Sequence, residues 1–260
     1  MKLSLQDFQK EILDMYRDSI AGFGMISDED DFVIRYWGTG DESQHYNLIL
    51  KDKARDYRQL VHDEREILLS RGKKAAWWKV HDFPSGTRTD LENALPLEGF
   101  HLFRKARLLY LPIDKHVTKA SSVEVKKMKP HESFDFLKEI SMEVWGEVSD
   151  PLLKGLKEEI QSADPKTQIY FSRIRGESEW ASVGWIRFYS KIGFLFGGST
   201  KAKFRSMGTY RTLVATRMEA AAAAGMKYVL SECTPESERV LRGLGFEDAG
   251  VATVYEFKAG

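Results

Sequence analysis

The chain is 260 residues long and carries 39 lysine and arginine residues against 39 aspartate and glutamate residues, so its formal net charge is zero. This length allows one large domain or two of ordinary size, and 42% hydrophobic residues, with 12% aromatic, suit packed cores better than a disordered chain. The charge balance argues against a protein whose main task is to coat nucleic acid. The single cysteine, Cys233, excludes an intrachain disulfide framework and a thiolate-rich zinc site.

The N-terminal residues and the hydropathy pattern bear on location. The start of the chain reaches Asp7 before any apolar run forms, which is not typical of a signal peptide. No window approaches the ~18 consecutive apolar residues that a membrane-spanning helix needs. The sequence therefore predicts a soluble, cytoplasmic protein without a membrane partner.

Apolar periodicity divides the first half into helices and strands separated by turn residues. The predicted elements are a helix marked by Leu5, Phe8, Ile12, Tyr16 and Ile20, strands at Phe32–Trp37 and His45–Leu50, a helix from Ala54 to Leu68, a strand at Ala75–Val80, a helix through Leu91 and Leu95, and a strand at Leu102–Leu111. Pro112 and the polar, aperiodic residues 115–122 predict a linker. We therefore expect a first domain over residues 1–114.

The second half repeats this order with more helix in front. The predicted elements are a strand at Val123–Lys127, helices at Phe134–Val144 and Leu152–Ile160, strands at Ile169–Ile174, Ser182–Tyr189 and Ile192–Phe196, a helix from Tyr210 to Ala224, a strand at Lys227–Ser231, a short helix at Glu236–Gly243 and a strand at Val251–Phe257. We expect a second domain over residues 122–260.

One short pattern occurs in both halves. Residues 95–100 and 241–246 both read Leu-x-x-x-Gly-Phe, and each copy follows helix, strand and helix signals and precedes a strand. A pattern with three fixed positions is weak by itself, but the matching order of elements around it favours an internal duplication over coincidence.

The most informative segment joins the strand at Ile192–Phe196 to the helix at Tyr210. From Gly193 through Met218 there is no aspartate or glutamate, and the charged residues are all basic: Lys201, Lys203, Arg205, Arg211 and Arg217. The start of a helix presents unpaired N–H groups and the positive end of the helix dipole, which both favour an anion. Gly208 would let an anion approach the backbone closely, because glycine has no Cβ. The segment therefore predicts a loop that binds an anion such as a phosphate.

The pattern Arg205-x-x-Gly208-x-Tyr210, between a strand and a helix, resembles the coenzyme A pyrophosphate loop of the GCN5-related N-acetyltransferase (GNAT) superfamily, which reads Gln/Arg-x-x-Gly-x-Gly/Ala. Residues 234–246 resemble the next block of that family, where a helix ends in Gly-Phe before the last strands. The resemblance covers roughly Val123 to Phe257. It implies an α/β (α+β mixed) fold of two GNAT-like units, each a mixed, largely antiparallel sheet flanked by helices.

The first half looks like a degenerate copy. Its segment Leu48–Lys53, before the helix, contains neither a glycine nor Arg-x-x-Gly. The resemblance therefore implies that only the second domain binds acetyl-CoA, as the acyl donor, and transfers the acetyl group to a primary amine. The residues it implies for binding acetyl-CoA are Gly198, Ser199, Thr200, Arg205, Ser206, Met207, Gly208, Thr209, Tyr210 and Ser237.

Glu232 is the candidate catalytic residue. It follows the strand Lys227–Ser231, where the sheet opens in the family, and it could accept a proton from the amine, whose pKa is near 10.4 for a lysine-like group. The alternative is a solvated loop carboxylate or a helix cap. Ser237 has a similar alternative as a capping residue, and the neighbouring Cys233 is either an acyl-accepting nucleophile or a small apolar filler.

Two departures from the family pattern leave the chemistry open. The third small position of the loop is Tyr210, which crowds the start of the helix. The tyrosine that many members carry four residues before the Gly-Phe glycine, where it protonates the leaving thiolate, is replaced by Leu241. A non-catalytic acyl-CoA-binding module therefore remains the alternative to an enzyme.

Other functional classes find little support. The six histidines are scattered without a metal-ligand spacing, so we expect no metal centre. Trp145, Trp180 and Trp185 either line an acceptor pocket or pack in the core. Nucleic-acid binding through the basic loop fits poorly with the neutral chain. The acceptor, small molecule or peptide, and the oligomeric state stay open.

Overall fold

The computed structural model describes residues 10–17, 25–37, 45–51, 56–81, 88–115, 117–146 and 150–259. They divide into two compact units. The first contains the residues up to Arg107 together with those from Gly250 onward, and the second is Leu108–Ala249.

Seven α-helices, a short 3-10 helix at Ala202–Phe204 and eleven strands make up the described elements. The helices are α1 (described over residues 10–17), α2 (Tyr57–Ser70), α3 (Arg88–Leu97), α4 (Asp135–Trp145), α5 (Asp150–Gln161), α6 (Thr209–Ala223) and α7 (Pro235–Gly243). The strands are β1 (Ile26–Glu29), β2 (Val33–Trp37), β3 (His45–Leu50), β4 (Ala75–His81), β5 (His101–Pro112), β6 (Val123–Lys127), β7 (Thr167–Ile174), β8 (Ser182–Tyr189), β9 (Ile192–Thr200), β10 (Tyr228–Cys233) and β11 (Glu247–Lys258).

Most predicted elements are confirmed, with two informative differences. Strand β1 was not predicted, because Ile26–Glu29 contains one apolar residue and lies largely exposed. Strand β9 continues past Phe196 to Thr200, through two glycines that mark a turn in the sequence alone. The predicted helix residues Leu5, Phe8, Ile20 and Ala54 lie outside the described residues.

The two units contain sheets of the same design. In the first, β1, β2 and β3 pair antiparallel, β3 pairs parallel with β4, and β4 pairs antiparallel with β11. In the second, β6, β7, β8 and β9 pair antiparallel, and β9 pairs parallel with β10. A right-handed crossover helix commonly joins parallel neighbours, and here α2 and α6 occupy that place in the chain order. The predicted fold class, mixed and largely antiparallel with flanking helices, is confirmed.

The last strand was expected in the second domain, over residues 122–260. Residues 252–258 of β11 instead pair with β4, from Ala252 opposite His81 to Lys258 opposite Ala75. The C-terminal strand therefore completes the sheet of the first unit. The order of elements in the sequence does not show which unit the last strand joins, because both halves end in an apolar strand after Gly-Phe.

Helices cover both faces of the second unit's sheet. On one face, α6 and α7 contribute Leu213, Val214, Met218 and Leu241 to a core with Ile186, Leu195 and Val229. On the other, α4 and α5 contribute Leu137, Ile140, Leu156 and Ile160 to a core with Ile169, Phe171 and Val183. Strand alternation separates these two sets. We call the two surfaces the α6 face and the α4 face.

The repeated Leu-x-x-x-Gly-Phe pattern has one geometry in both units. Gly99 and Gly245 have φ values of 81° and 92°. The N–H of Phe100 donates to Leu95 O at 3.0 Å, and the N–H of Phe246 donates to Leu241 O at 3.1 Å. This is the Schellman ending of a helix, in which glycine adopts the left-handed conformation. The pattern therefore ends a helix in the same way in both units.

Gly245→Ala should destabilise the protein by about 1 kcal/mol, because alanine pays a steric cost at a positive φ. Gly243→Ala is the matched control, since a methyl group there would meet no atom within 4 Å and φ is not positive. That variant should be neutral or stabilising by up to about 1 kcal/mol. The urea midpoint, followed by far-UV circular dichroism, measures both. Equal midpoints would contradict the turn geometry.

Candidate active site at the end of strand β9

The parallel strands β9 and β10 stop pairing before their carboxyl ends. The last backbone pair between them in the described chain is Leu195 with Ser231, yet β9 continues to Thr200 and β10 to Cys233. A strand edge free of its neighbour offers main-chain N–H and C=O groups to an extended ligand. The carboxyl ends of such strands are also a common place for ligand binding in α/β sheets.

A β-bulge redirects this free end of β9. At the register shift between Val183 and Trp185, one residue of β8 faces two of β9, Gly197 and Gly198. Gly197 has a φ of 57°, and a methyl group at its Cα would lie 1.8 Å from the Trp185 ring. Only glycine fits this position, as is common in bulges beside functional sites.

On the α4 face, the end of β9 carries Ser199 and an aromatic surface. The Ser199 hydroxyl accepts a hydrogen bond of 2.7 Å from Trp145 Nε1 and donates one of 3.3 Å to Gly197 O. Ser199 is buried, whereas 55% of Trp145 is exposed. Trp185 stacks on Phe196 with ring centroids 6.4 Å apart. Trp145 is thus held at the free strand end with its ring open to solvent.

On the α6 face, Tyr210 covers the same strand end. A methyl group on Gly198 would lie 2.6 Å from Cε2 and 3.1 Å from the hydroxyl oxygen of Tyr210. Burial raises the pKa of Tyr210, and the positive charge of Arg217 opposes that rise. The Tyr210 side chain, at the third position of the loop pattern, therefore packs on β9.

Three hydroxyl groups tie the strand end to the start of α6. The Ser182 hydroxyl lies 2.9 Å from Thr200 Oγ1 and 3.0 Å from Thr209 Oγ1. Ser182 and Thr209 are buried. The side chains of Thr200 and Thr209 are therefore engaged in positioning the loop, and their main-chain groups are what they can offer to a ligand.

The start of α6 lacks a side-chain cap. Gly208 is the N-cap residue, with φ 82° and ψ 0°, and no N-cap side chain accepts a hydrogen bond from the N–H groups of the first turn. Ser206 also has a positive φ, 65°. Arg205, Ser206 and Met207 are exposed. The first N–H groups of the helix thus point away from it, together with the positive end of its dipole.

Two of the five basic residues of this run pair with carboxylates. Lys201 is buried and pairs with Glu139 and, at 2.8 Å, with Glu179, while Lys203 pairs with Glu179 at 2.5 Å. Burial opposes charging of Lys201, but these hydrogen bonds raise its pKa. Both lysines are therefore engaged with carboxylates. Arg205 stays exposed, and its Nε donates to Thr200 O at 3.3 Å.

Arg217, the last residue of the basic run, lies inside the second unit. Its side chain is fully buried on the α6 face, where Nη1 donates to Trp185 O at 3.2 Å and to Phe196 O at 3.4 Å. A methyl group on Gly184 would lie 2.8 Å from Nη1. Arg217 therefore binds the carbonyl groups that flank the bulge. The signal available in the sequence was Gly184, since an isolated glycine in a strand marks a close approach.

The two residues that end β10 face opposite sides of the sheet. Cys233 is buried in the core of the α6 face, so strand alternation places Glu232, which is partly buried, on the α4 face. Burial is the main cause that raises the pKa of Cys233, to about 12. Glu232 thus shares the α4 face with Trp185 and Ser199, whereas Cys233 stays a protonated, packed thiol.

The remaining predicted residue, Ser237, serves the start of α7. Its N–H donates to Thr234 Oγ1 at 3.4 Å, and its hydroxyl donates to Thr234 O at 3.1 Å. Leu241, at the position of the family's tyrosine, is fully buried. Ser237 therefore has a local capping contact, and α7 contributes no phenol at Leu241.

Two other features are absent from the described ranges. These ranges contain no group of three or more histidine, cysteine, aspartate or glutamate side chains placed to hold a metal ion. No helix within the same ranges is both long and apolar enough to cross a membrane.

Solved structures share this fold at low sequence identity. A GCN5-related N-acetyltransferase from Kribbella flavida superposes with a TM-score of 0.68 at 12% identity, over 100% of this chain and 97% of that chain. A functionally unknown conserved protein from Staphylococcus epidermidis gives 0.68 at 11% identity, over 92% and 96%. A tandem GNAT protein from the clavulanic acid biosynthesis pathway gives 0.59 at 13% identity, over 88% and 79%.

Comparison by sequence alone gives no match. No protein-family model matches the chain, and no curated protein matches it. The chain therefore has the fold of the GCN5-related N-acetyltransferases, including a tandem member.

The lone cysteine gives a direct test of the site's packing. Because Cys233 is buried and its pKa is raised to about 12, the thiolate that reacts with Ellman's reagent is scarce at pH 8. We expect less than a tenth of the native protein to react in the time in which the urea-unfolded protein reacts fully. Rapid labelling of the native protein would contradict the buried, inert role and restore Cys233 as a candidate nucleophile.

Proposed function

We propose that the protein transfers an acetyl group from acetyl-CoA to a primary amine. The observation that carries the proposal is the combination of a free end of β9 with an uncapped α6 that follows it directly. The strand end suits the extended pantetheine arm and the helix start suits the pyrophosphate. The free end of β9 comes directly before the uncapped start of α6, which is the order of strand and helix in the GNAT pattern.

The residues of the loop fit an anionic donor of this kind. The main-chain N–H groups of Ser206, Met207, Gly208 and Thr209 would hold the pyrophosphate, with Arg205 as the exposed cation beside them. Gly208 keeps the approach open because it has no Cβ. Bound acetyl-CoA would supply a thioester carbonyl, which is the electrophile of the reaction.

The bulged end of β9 supports the role of an oxyanion site. Main-chain N–H groups of β9 alternate between its two edges, so those of Gly198 and Thr200, which lie beyond the last pair with β10 and point away from β8, are available on that edge. Preorganised N–H donors stabilise the negative charge that develops on a carbonyl oxygen under attack. Arg217 keeps these donors in place by binding the carbonyl groups of Trp185 and Phe196.

We propose that the amine approaches from the α4 face. Glu232 and Ser199 lie on that face, and Trp145 is exposed beside it. Glu232 would take the proton that an ammonium group must lose before it attacks. The ring of Trp145 would hold the cationic acceptor through a cation–π contact before that proton is lost.

A non-catalytic acyl-CoA-binding module is the second candidate. The observation that favours it is Leu241, buried where a tyrosine serves as the proton donor in many relatives. The two candidates differ in turnover, because an enzyme releases free thiol from acetyl-CoA in the presence of an amine panel and a binding module does not. Thiol release above the rate of spontaneous hydrolysis decides for the enzyme.

We propose no nucleic-acid and no membrane partner. The lysines that would contact a phosphate backbone, Lys201 and Lys203, are paired with carboxylates. Nucleic-acid binding would require these pairs to break, and it would weaken steeply with salt.

The first experiment is a thermal shift of the whole protein with millimolar acetyl-CoA, and with ATP and NAD as controls. A ligand that binds only the native state raises the melting temperature. A shift with acetyl-CoA and coenzyme A alone supports the proposal. No shift with either contradicts both the enzyme and the acyl-CoA-binding module.

Gly208→Glu should lower coenzyme A affinity at least tenfold, or about 1.4 kcal/mol, because it places a carboxylate at the helix start that would hold the pyrophosphate. Gly225→Glu is the matched control at the other end of α6. Gly225 also has a positive φ, 75°, so both variants carry a similar backbone cost. Calorimetric titration measures both. Equal affinities of the two folded variants would contradict the loop assignment.

Glu232→Gln should reduce turnover more at pH 7 than at pH 10. A lysine-like amine with a pKa near 10.4 is almost fully protonated at pH 7, so a base matters most there. Glu219→Gln, on the exposed side of α6 where Glu219 pairs with Lys119, is the control. An equal loss at both pH values would remove Glu232 as the base.

A further inference from the structure

Two polar side chains of α6 converge on the bulge from the α6 face. The nearest atoms to a methyl group on Gly198 belong to Tyr210, and its hydroxyl oxygen would lie 3.1 Å away. The nearest atom to a methyl group on Gly184 is Nη1 of Arg217, at 2.8 Å. The two glycines lie at the same register shift of β8 and β9. The phenol and the guanidinium therefore meet at the point where β9 leaves β10.

The guanidinium is an unusual buried charge. Its donors bind three main-chain carbonyl oxygens, because Nε donates to Leu213 O at 3.3 Å and Nη1 binds the two carbonyls of the bulge. Nη2 of Arg217 has no hydrogen-bond partner among the described residues, although the side chain is fully buried. Arginine cannot lose its proton in a protein. A buried cation without a carboxylate is costly, so an anion that forms nearby would be strongly stabilised.

The surroundings leave Tyr210 as the proton donor on this face, because the other phenol that acts on Arg217, that of Tyr170, donates to Gln168 Oε1 at 2.5 Å. The charged and titratable groups that act on its phenol are Arg217 of α6 and Cys233 of β10. Cys233 is buried, and its raised pKa of about 12 makes it a poor proton donor or acceptor near neutral pH. Leu241 of α7, on the same face, offers no polar atom.

We propose that Tyr210 is the catalytic acid of this protein, and that Arg217 is the positioning residue behind it. The proposal rests on the acetyl-CoA function above and moves the proton donor from α7, where relatives carry it, to the first turn of α6. The neutral amine nitrogen bonds to the thioester carbon and then releases its surplus proton to solvent, and the carbon–sulfur bond breaks with its electron pair going to sulfur. The Tyr210 hydroxyl gives its proton to that sulfur, and the phenolate left beside Arg217 is reprotonated from solvent.

This arrangement separates the two proton transfers by face. The amine loses its proton on the α4 face, where Glu232 lies, and sulfur gains one on the α6 face, where Tyr210 lies. The sheet end between them carries the acyl group. The site then needs no phenol at position 241, because Tyr210, at the third loop position, supplies one.

The test compares Tyr210→Phe with Tyr189→Phe in the whole protein. Tyr189 is a buried tyrosine at the opposite end of β8, opposite Ile192 of β9, so the control removes one hydroxyl from the same sheet. Acetyl transfer with the best amine of the panel gives the first measurement. We expect Tyr210→Phe to lower kcat about 100-fold, with the KM for acetyl-CoA within threefold of wild type, and Tyr189→Phe to leave both unchanged.

A binding measurement tests the same contact without turnover. Wild-type protein at pH 8.5, where a large share of thiol is ionised, should bind coenzyme A at least fivefold more tightly than the analogue in which hydrogen replaces the thiol. Tyr210→Phe should bind the two equally. A preference for coenzyme A that survives in Tyr210→Phe, or a kcat within threefold of wild type, overturns the proposal. Failure of the wild type to bind acetyl-CoA would instead refute the proposed function itself.

Discussion

The bulge at Gly197 and Gly198, held by the buried guanidinium of Arg217, is the feature on which the rest of the site depends. Arg217 donates to the carbonyl oxygens of Trp185 and Phe196, the cross-strand pair next to the register shift, and the two glycines admit the Trp185 ring on one face and the Tyr210 ring on the other. If β9 alternated regularly from Phe196 with no bulge, Ser199 would point to the α6 face instead of toward Trp145. One insertion in one strand therefore sorts the polar groups of the site between the two faces of the sheet.

The two units share one design but differ at the start of one helix. Both carry a parallel pair with a crossover helix between the strands, and the helices differ at their first turn. In α2 the Asp56 carboxylate accepts hydrogen bonds from the N–H groups of Arg58, at 2.9 Å, and Gln59, at 3.1 Å. Such a cap stabilises a helix by about 1 kcal/mol. An anion has no place there, whereas Gly208 leaves the start of α6 open.

The sequence predicted most elements, the matched Gly-Phe endings and the position of the loop, because these depend on local periodicity and on single glycines. It did not predict which charges remain available. Lys201 and Lys203 look like phosphate ligands in the chain, but Glu139 and Glu179, distant in sequence, neutralise them. Arg217 looks like the exposed end of the same run and is buried. Long-range pairing decides these roles, and a single sequence does not display it. The site assignments carried over from the family pattern stay predictions.

With Lys201 and Lys203 paired with carboxylates, two fixed sources supply positive potential to the candidate site in addition to the exposed Arg205. One is the row of N–H groups at the start of α6, and the other is Arg217 beneath Tyr210. Both are anchored in the backbone or the core, so they need little reorganisation when negative charge develops beside them, which is the condition under which electrostatic stabilisation is most effective. Flexible surface lysines would attract any polyanion, including nucleic acid. Fixed donors at one strand end suit an extended ligand with a phosphate at one end and a reacting group at the other, which is the shape of the acyl-CoA donor that we propose.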